Sequence, residues 1–182
     1  VRHITIAASL LDTVMTAIIF EPLHAGVVLP ERATALSAGY DLRAWFATDS
    51  LTVWQGSASA PRTLDGDASA RSVTLLPHER AIIPLGFRAT LPAGIEGQIR
   101  ARSGVALKRG LIVPNAPGTI DPDYTGEWGV LLLNASSAPA TIVHGERIAQ
   151  LILARFETVP FAHGSVVTTT ERAGGFGSTG AH

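Results

Sequence analysis

The sequence predicts an all-β chain, and three observations carry that expectation. Eleven prolines and eighteen glycines are spread along all 182 residues and divide the chain into short runs. Those runs are rich in β-branched residues and recur at the close spacing of a sandwich or barrel. Only residues 5–19 and a short turn at 35–39 read equally well as helix.

Taken in order, the expected strands are GVVLP (26–30), DLRAWF (41–46), LTVW (51–54), SVTLLP (72–77) and RAIIPLGFRATLP (80–92). EGQIRA (96–101), GLIVP (110–114), WGVLLLNA (128–135), TIVHGERIAQLILARFE (141–157) and HGSVVTT (163–169) follow. Residues 56–71, GSASAPRTLDGDASAR, are small and polar and read as a surface loop. The glycine-rich tail GGFGSTGAH (174–182) has the composition of a mobile arm. The apolar stretch 4–20 is interrupted by Asp12 and too broken for a transmembrane span, which needs about 20 continuous apolar residues. It reads as a helix or strand packed on the body or on a neighbouring subunit, with disordered upstream sequence as the main alternative and a signal peptide, meagrely supported by Arg2, as a lesser one.

Composition removes several classes of function. With no cysteine, disulfides, thiolate catalysis and cysteine-ligated metals are excluded. A net charge near −1 supports no broad nucleic-acid or membrane surface. An apolar fraction of 46% against 16% charged excludes general disorder and hints at surface covered by a partner subunit.

Three segments could carry chemistry. RARSGVALKRG (100–110) gathers three arginines, a lysine, Ser103 and two glycines in a turn between strands. Guanidinium forks match phosphate oxygens, and glycine lets backbone N–H groups approach an anion; an ordinary basic loop is the alternative. NAPGTIDPDYTGEWG (115–129) places Asp121, Asp123, Tyr124 and Glu127 in a Pro- and Gly-bounded turn. A carboxylate there could activate water and the aromatic could wall a sugar, although Asp and Gly are also simply good turn formers. HGERIAQLIL (144–153) brings Arg147 and Gln150 to the start of an alternating strand, where they face a site or close a turn. No GxxxxGK[ST], Rossmann glycine set or HExxH is present.

In sequence order, AGYDLRA (38–44), ARSGVA (101–106), NAPGTIDPDYTGE (115–127), GERIAQLI (145–152) and RAGGFGSTG (172–180) resemble the five motifs of the trimeric dUTP pyrophosphatase family. The resemblance runs from about residue 18 to 180, apart from the insert at 56–71. It implies an N-terminal extension (1–17), a jelly-roll-like β domain (18–171) and a C-terminal arm (172–182) that crosses to another subunit. It further implies a cytoplasmic homotrimer whose three active sites, each built from all three chains, split dUTP into dUMP and pyrophosphate. That activity limits uracil in DNA and supplies dUMP. No stable nucleic-acid or membrane partner is expected.

The resemblance also implies roles. Asp121 activates the attacking water, Ser103 contacts the α–β bridging region, and Arg102, Gly104 and Gln150 lie on the phosphate side. Asn115, Gly118 and Ile120 shape the uracil pocket, and Tyr124 packs on the deoxyribose. In the arm, Arg172 grips the terminal phosphate and Phe176, with Gly177 and Ser178, covers the base. Asp41 belongs to the water shell of a Mg²⁺ held mainly by the triphosphate, with no direct protein ligand. The chain departs from the family pattern at Thr125, where Arg is common, and at residues 172–177, one residue shorter than usual. The insert and the N-terminal extension are the other departures. The related dCTP deaminases, which use a catalytic glutamate, and a trimeric nucleotide-binding protein without turnover are the alternatives.

Overall fold

The computed structural model describes residues 17–67 and 70–167. They form thirteen strands and one short helix, with every strand pair antiparallel. The strands are β1 (Ile19–Pro22), β2 (Tyr40–Arg43), β3 (Ser50–Gln55), β4 (Ala58–Thr63), β5 (Ser72–Leu75), β6 (Glu79–Pro84) and β7 (Phe87–Thr90). They continue with β8 (Ile95–Ala101), β9 (Leu111–Ile112), β10 (Gly118–Ile120), β11 (Gly129–Asn134), β12 (Ala140–Val143) and β13 (Arg147–Arg155), with α1 (Ser103–Arg109) after β8.

A four-stranded sheet, β10-β8-β13-β2, and a five-stranded one, β4-β3-β6-β11-β9, are joined by the pairs β1-β7 and β12-β5. Period-two burial sets which residues face inward. On β6 Ala81 and Ile83 are buried while Ile82 points out, and on β11 Val130 and Leu132 alternate with half-buried Leu131 and Leu133. One core cluster collects the inward residues of all four sheets, among them Leu42, Val73, Ile83, Phe87, Val130, Ile142 and Leu151. Trp128 is its largest fully buried side chain, with its indole N–H donating to the Ala89 carbonyl at 3.2 Å. The expected all-β jelly-roll-like subunit is therefore what the chain forms.

Several expectations need correction. Residues 26–30 form no strand: Gly26 has φ +90°, Val27 N–H closes a turn onto the His24 carbonyl, and the apolar run lines a cavity instead. Residues 163–167 form no strand either; residues 168–169 lie outside the described residues, as does the helix alternative at 5–16. The turn at 35–39 contains no helix.

The long runs 80–92 and 141–157 each break into two strands, at Leu85–Gly86 and at His144–Gly145–Glu146. Gly86 (φ +73°) is required there, because a β-carbon would stand 2.5 Å from the Trp45 ring. The segment 56–71 is largely a hairpin arm: Gly56 (φ +57°) turns the chain and β4 pairs along β3 from Gln55↔Ala58 to Ser50↔Thr63. Arg62 fastens it to the body with a two-pronged ion pair to buried Glu79, at 2.5 and 2.8 Å.

The basic segment at 100–110 is chiefly α1 rather than a turn. Arg102, in extended conformation, precedes it, and Gly110 (φ +63°) ends it by donating to the Ala106 carbonyl at 3.1 Å.

Candidate active site

Two groups of chemistry-bearing residues stand apart on the four-stranded sheet. The first lies where β2, β13 and the start of α1 meet. The register sets Gln150 opposite Asp41 on one side and Arg100 on the other, so Asp41, Gln150 and the adjoining Arg102–Ser103 segment converge. They surround a cleft of about 580 Å³ lined by Asp41, Arg102, Ser103, Gly104, Lys108 and Gln150, with Ser37–Gly39 on the facing wall. Five sequence-expected residues are thus brought together.

Within the cleft, Asp41 is held between Arg102 Nε at 3.0 Å and Arg147 Nη1 at 3.1 Å. The Arg102 fork also donates to the Arg147 carbonyl at 3.1 Å. Gln150 donates from Nε2 to the Ala101 carbonyl at 3.0 Å, which turns its amide oxygen toward Gly39. A β-carbon on Gly39 would sit 2.3 Å from Gln150 Oε1 and 3.3 Å from its Cβ, so glycine is what lets Gln150 lie there. Arg102, Lys108 and the helix-start N–H groups of Ser103 and Gly104, which have no carbonyl partner inside α1, make this cleft suited to an anion.

The second group sits on the segment from Asn115 to Glu127. Asn115 packs on Gly118, whose added β-carbon would meet Asn115 Nδ2 at 3.2 Å. Gly118 and Ile120 are buried on β10, while Asn115, Asp121 and Tyr124 are exposed. The tip is stiff. Tyr124 N–H donates to the Asp121 carbonyl at 3.1 Å, and Tyr124 Oη–H donates to the Glu127 carbonyl at 3.0 Å. The Glu127 carboxylate then accepts from Gly86 N–H at 3.0 Å, tying the tip to the β6–β7 corner. Tyr124 is 44% exposed, and the Asp121 carboxylate has no partner among the described residues.

Register fixes how far apart the groups are. Asp121 follows Ile120, which pairs with Gly97, so it stands level with Glu96 and, across β13, with Ala154. Ala154 is four residues beyond Gln150 along β13. At about 3.3 Å per residue along and about 4.8 Å per strand across, Asp121 is some ~16 Å from Gln150. Within one protomer, Asp121 therefore stands well apart from the cleft.

Sequence reasoning left some residues in the cleft and behind it without a settled role. Lys108 was visible only within the basic run at 100–110, and Arg147 only as a residue that, with Gln150, faces a site or closes a turn. Gly39 was visible only as part of AGYDLRA, and its role appears only in the contact with Gln150. Thr125 lines a separate hollow of about 220 Å³ beside the Arg88–Glu21 ion pair. Arg172, Phe176, Gly177 and Ser178 lie outside the described residues. No group of three or more His, Asp or Glu able to hold a metal ion occurs among the described residues. Nor is any helix among them long and apolar enough to cross a membrane.

The fold and the site together define an all-β protein with an anion-receptive cleft and, apart from it, an outward-facing carboxylate hairpin. A family model described as dUTPase matches residues 68–180. The deoxyuridine 5'-triphosphate nucleotidohydrolase of Rhizobium meliloti (strain 1021) is 41% identical over 160 residues, covering 87% of this chain and 87% of that one. Among solved structures, a Staphylococcus bacteriophage 80alpha dUTPase mutant with dUpNHpp has a TM-score of 0.70 at 24% identity. It covers 91% of this chain and 99% of that one. A mutant dUTPase of S. aureus phage phi11, described with a structural Mg(II) ion, has a TM-score of 0.64 at 21% identity, covering 84% and 99%. The chain belongs to the dUTPase family.

Proposed function

We propose that the dUTP hydrolysis for which the family is named proceeds here by in-line attack of an Asp121-held water on the α-phosphorus, at sites shared between copies of a homotrimer. The observation that carries this reading is the separation of Asp121, exposed and without a partner among the described residues, from the phosphate-type cleft on the same sheet. A second copy that set its hairpin across the cleft would bring the water-activating carboxylate to the group it serves.

Each residue then has a physical task. Arg102 and the Ser103–Gly104 segment bind the triphosphate, and Ser103 stabilises the charge that develops on the α–β bridging oxygen as pyrophosphate leaves. Gln150, held by the Ala101 carbonyl, presents its amide to the same end. Asp121 orients the water and takes its proton, leaving dUMP and pyrophosphate as products. Tyr124, its hydroxyl tied down, offers a ring face to the deoxyribose where a 2′-hydroxyl would crowd it. Asn115, Gly118 and Ile120 form the uracil end. Phe176, Gly177 and Ser178 of a third copy close over the base, and Arg172 reaches the terminal phosphate.

Asp41, already engaged by two arginines, has the chemistry of a water-shell contact to Mg²⁺ rather than that of a direct ligand. A Mg²⁺ bound with the triphosphate, with Asp41 on its water shell, would neutralise charge and fix the phosphate conformation.

The test is product analysis with Mg²⁺ and dUTP, with dCTP, dTTP and UTP as controls. Selective release of dUMP and pyrophosphate is expected. Conversion of dCTP to a uracil nucleotide would instead assign a deaminase, and binding without turnover by an assembled trimer would assign a binding protein.

A further inference from the structure

Two cavities share one wall, made by Ala33 and Asp41. The phosphate-type cleft has Asp41 and Arg102 in its lining but not Arg147. Behind it lies a second cavity of about 620 Å³, floored by Trp45, Phe87 and His144, with Asp41 and Arg147 in its lining but not Arg102. Arg147 therefore reaches the carboxylate from the side away from the cleft.

On this geometry, and resting on the dUTP reading above, we propose that Arg147 is a positioning residue for the phosphate end of the site. Its guanidinium holds Asp41 Oδ2 at 3.1 Å while Arg102 Nε takes Oδ1 at 3.0 Å, so the carboxylate is shared between two cations. Its backbone carbonyl accepts from Arg102 Nη1 at 3.1 Å, fixing the other edge of the same fork. The flanking chain is pinned as well: Arg43 Nη1 donates to the Gly145 carbonyl at 2.9 Å, and Glu146 is engaged by Arg109.

The physical consequence concerns Arg102. A carboxylate divided between two arginines neutralises each only in part and leaves the Arg102 fork with charge for phosphate oxygens. Without the Arg147 side chain, Asp41 turns wholly onto Arg102. The phosphate end then loses both a fixed anion on the metal-water side and part of its cation. Outer partners that orient metal ligands typically carry about 10- to 100-fold in affinity or activity, and an effect of that order is expected for Arg147.

The experiment compares Arg147→Ala and Arg147→Lys with the unsubstituted trimer. Binding of an uncleavable dUTP analogue with Mg²⁺ is measured beside binding of dUMP, together with kcat, KM and the Mg²⁺ concentration for half-maximal rate. Arg147→Ala should weaken the triphosphate analogue and raise the Mg²⁺ requirement by about tenfold or more, with dUMP affinity changed less than about twofold. Arg147→Lys, keeping one charge without the fork, should recover part of the loss. In Asp41→Asn chains the same Arg147→Ala change should have little further effect.

Equal weakening of dUMP and the analogue, or full additivity with Asp41→Asn, would overturn the proposal in favour of a purely structural Arg147. If Arg147→Ala does not assemble, Arg147→Lys and the Asp41→Asn cycle built on it carry the same test. Absence of dUTP turnover by the unsubstituted trimer would instead overturn the functional reading itself.

Discussion

The cleft around Asp41 and the hairpin around Asp121 treat a carboxylate in opposite ways. Asp41 has a side chain only 17% exposed and is held by two arginines, so its charge is balanced within the protomer. Asp121 is exposed and has no partner among the described residues, although the backbone beneath it is stitched from Tyr124 to Glu127 and on to Gly86. A stiff mount under an unsatisfied acid suits a group presented outward, whereas a paired acid in a cleft suits one that waits for a ligand. On the proposed reading, the difference is how one chain would carry both the cleft and the water-activating carboxylate and still need a second copy to join them.

The contrast can be broken most severely at the hairpin. Asp121→Asn keeps the shape of the tip but removes the base, and turnover should fall by about 10³-fold or more while binding of an uncleavable analogue persists. Near-normal turnover would end Asp121's role. In the cleft, Gly39→Ala should displace Gln150 from its seat between Gly39 and the Ala101 carbonyl. A shift of about 1 Å at a positioning group can cost about 10²-fold, so kcat should drop with little change in melting temperature.

A smaller effect is expected from Gly126→Ala. The new β-carbon would fall 2.5 Å from Tyr124 Oη and 2.7 Å from its Cζ, tilting the ring off the tip. Discrimination of dUTP against UTP should relax by about tenfold, measured as the ratio of their kcat/KM values.

The smallest effect on activity, and a distinct one on stability, is expected at the Arg62–Glu79 pair. The Arg62 guanidinium, aided by Leu76 N–H, holds the Glu79 carboxyl below its ordinary range against the opposing effect of burial. A lowered folded pKa stabilises the protein above the unfolded carboxylate value of about 4.3, and this contribution is lost as pH falls through the lower folded value. Glu79→Gln should therefore lower stability at neutral pH by about 2 kcal/mol, discounted from the fully buried case because Arg62 is partly open to water. It should also flatten the acid limb of a melting-temperature profile. A parallel acid limb in wild type and variant would assign that limb to other groups.

How much of this was legible in the sequence depended on what each segment does with its side chains. β11 was plain because it alternates buried and half-buried residues over six positions, and β13 because its nine residues make one long, mostly apolar run. β10 was hidden because it has three residues, GTI, between Pro117 and Pro122. β1 was submerged in a longer apolar run, and α1 escaped notice because its two turns bury only Val105 and open with Ser-Gly. GVVLP had the composition of a strand, but Gly26 and the turn at Val27 direct it into a cavity wall. The insert misled in the other direction, since small polar residues can still pair by backbone when an arginine fastens the strand.

For the site, the motifs supplied residue types and the fold supplied their grouping. Asp41, Arg102, Ser103, Gly104 and Gln150 are scattered over more than a hundred positions, and only the β2–β13–β8 register collects them. The same register shows that Asp121 does not join them. No pattern in the sequence marks Gly39 or Arg147 as a support, because each acts through a contact with a residue far along the chain.

The most direct measurement mixes two inactive chains, Asp121→Asn and Ser103→Ala, under conditions of verified subunit exchange. In a heterologous assembly, a cleft from the first chain can meet a hairpin from the second. An equal mixture should then recover about a quarter of the wild-type rate. Persistent inactivity in confirmed mixed trimers would contradict the account, since it would mean that each site draws its cleft and its hairpin from the same chain.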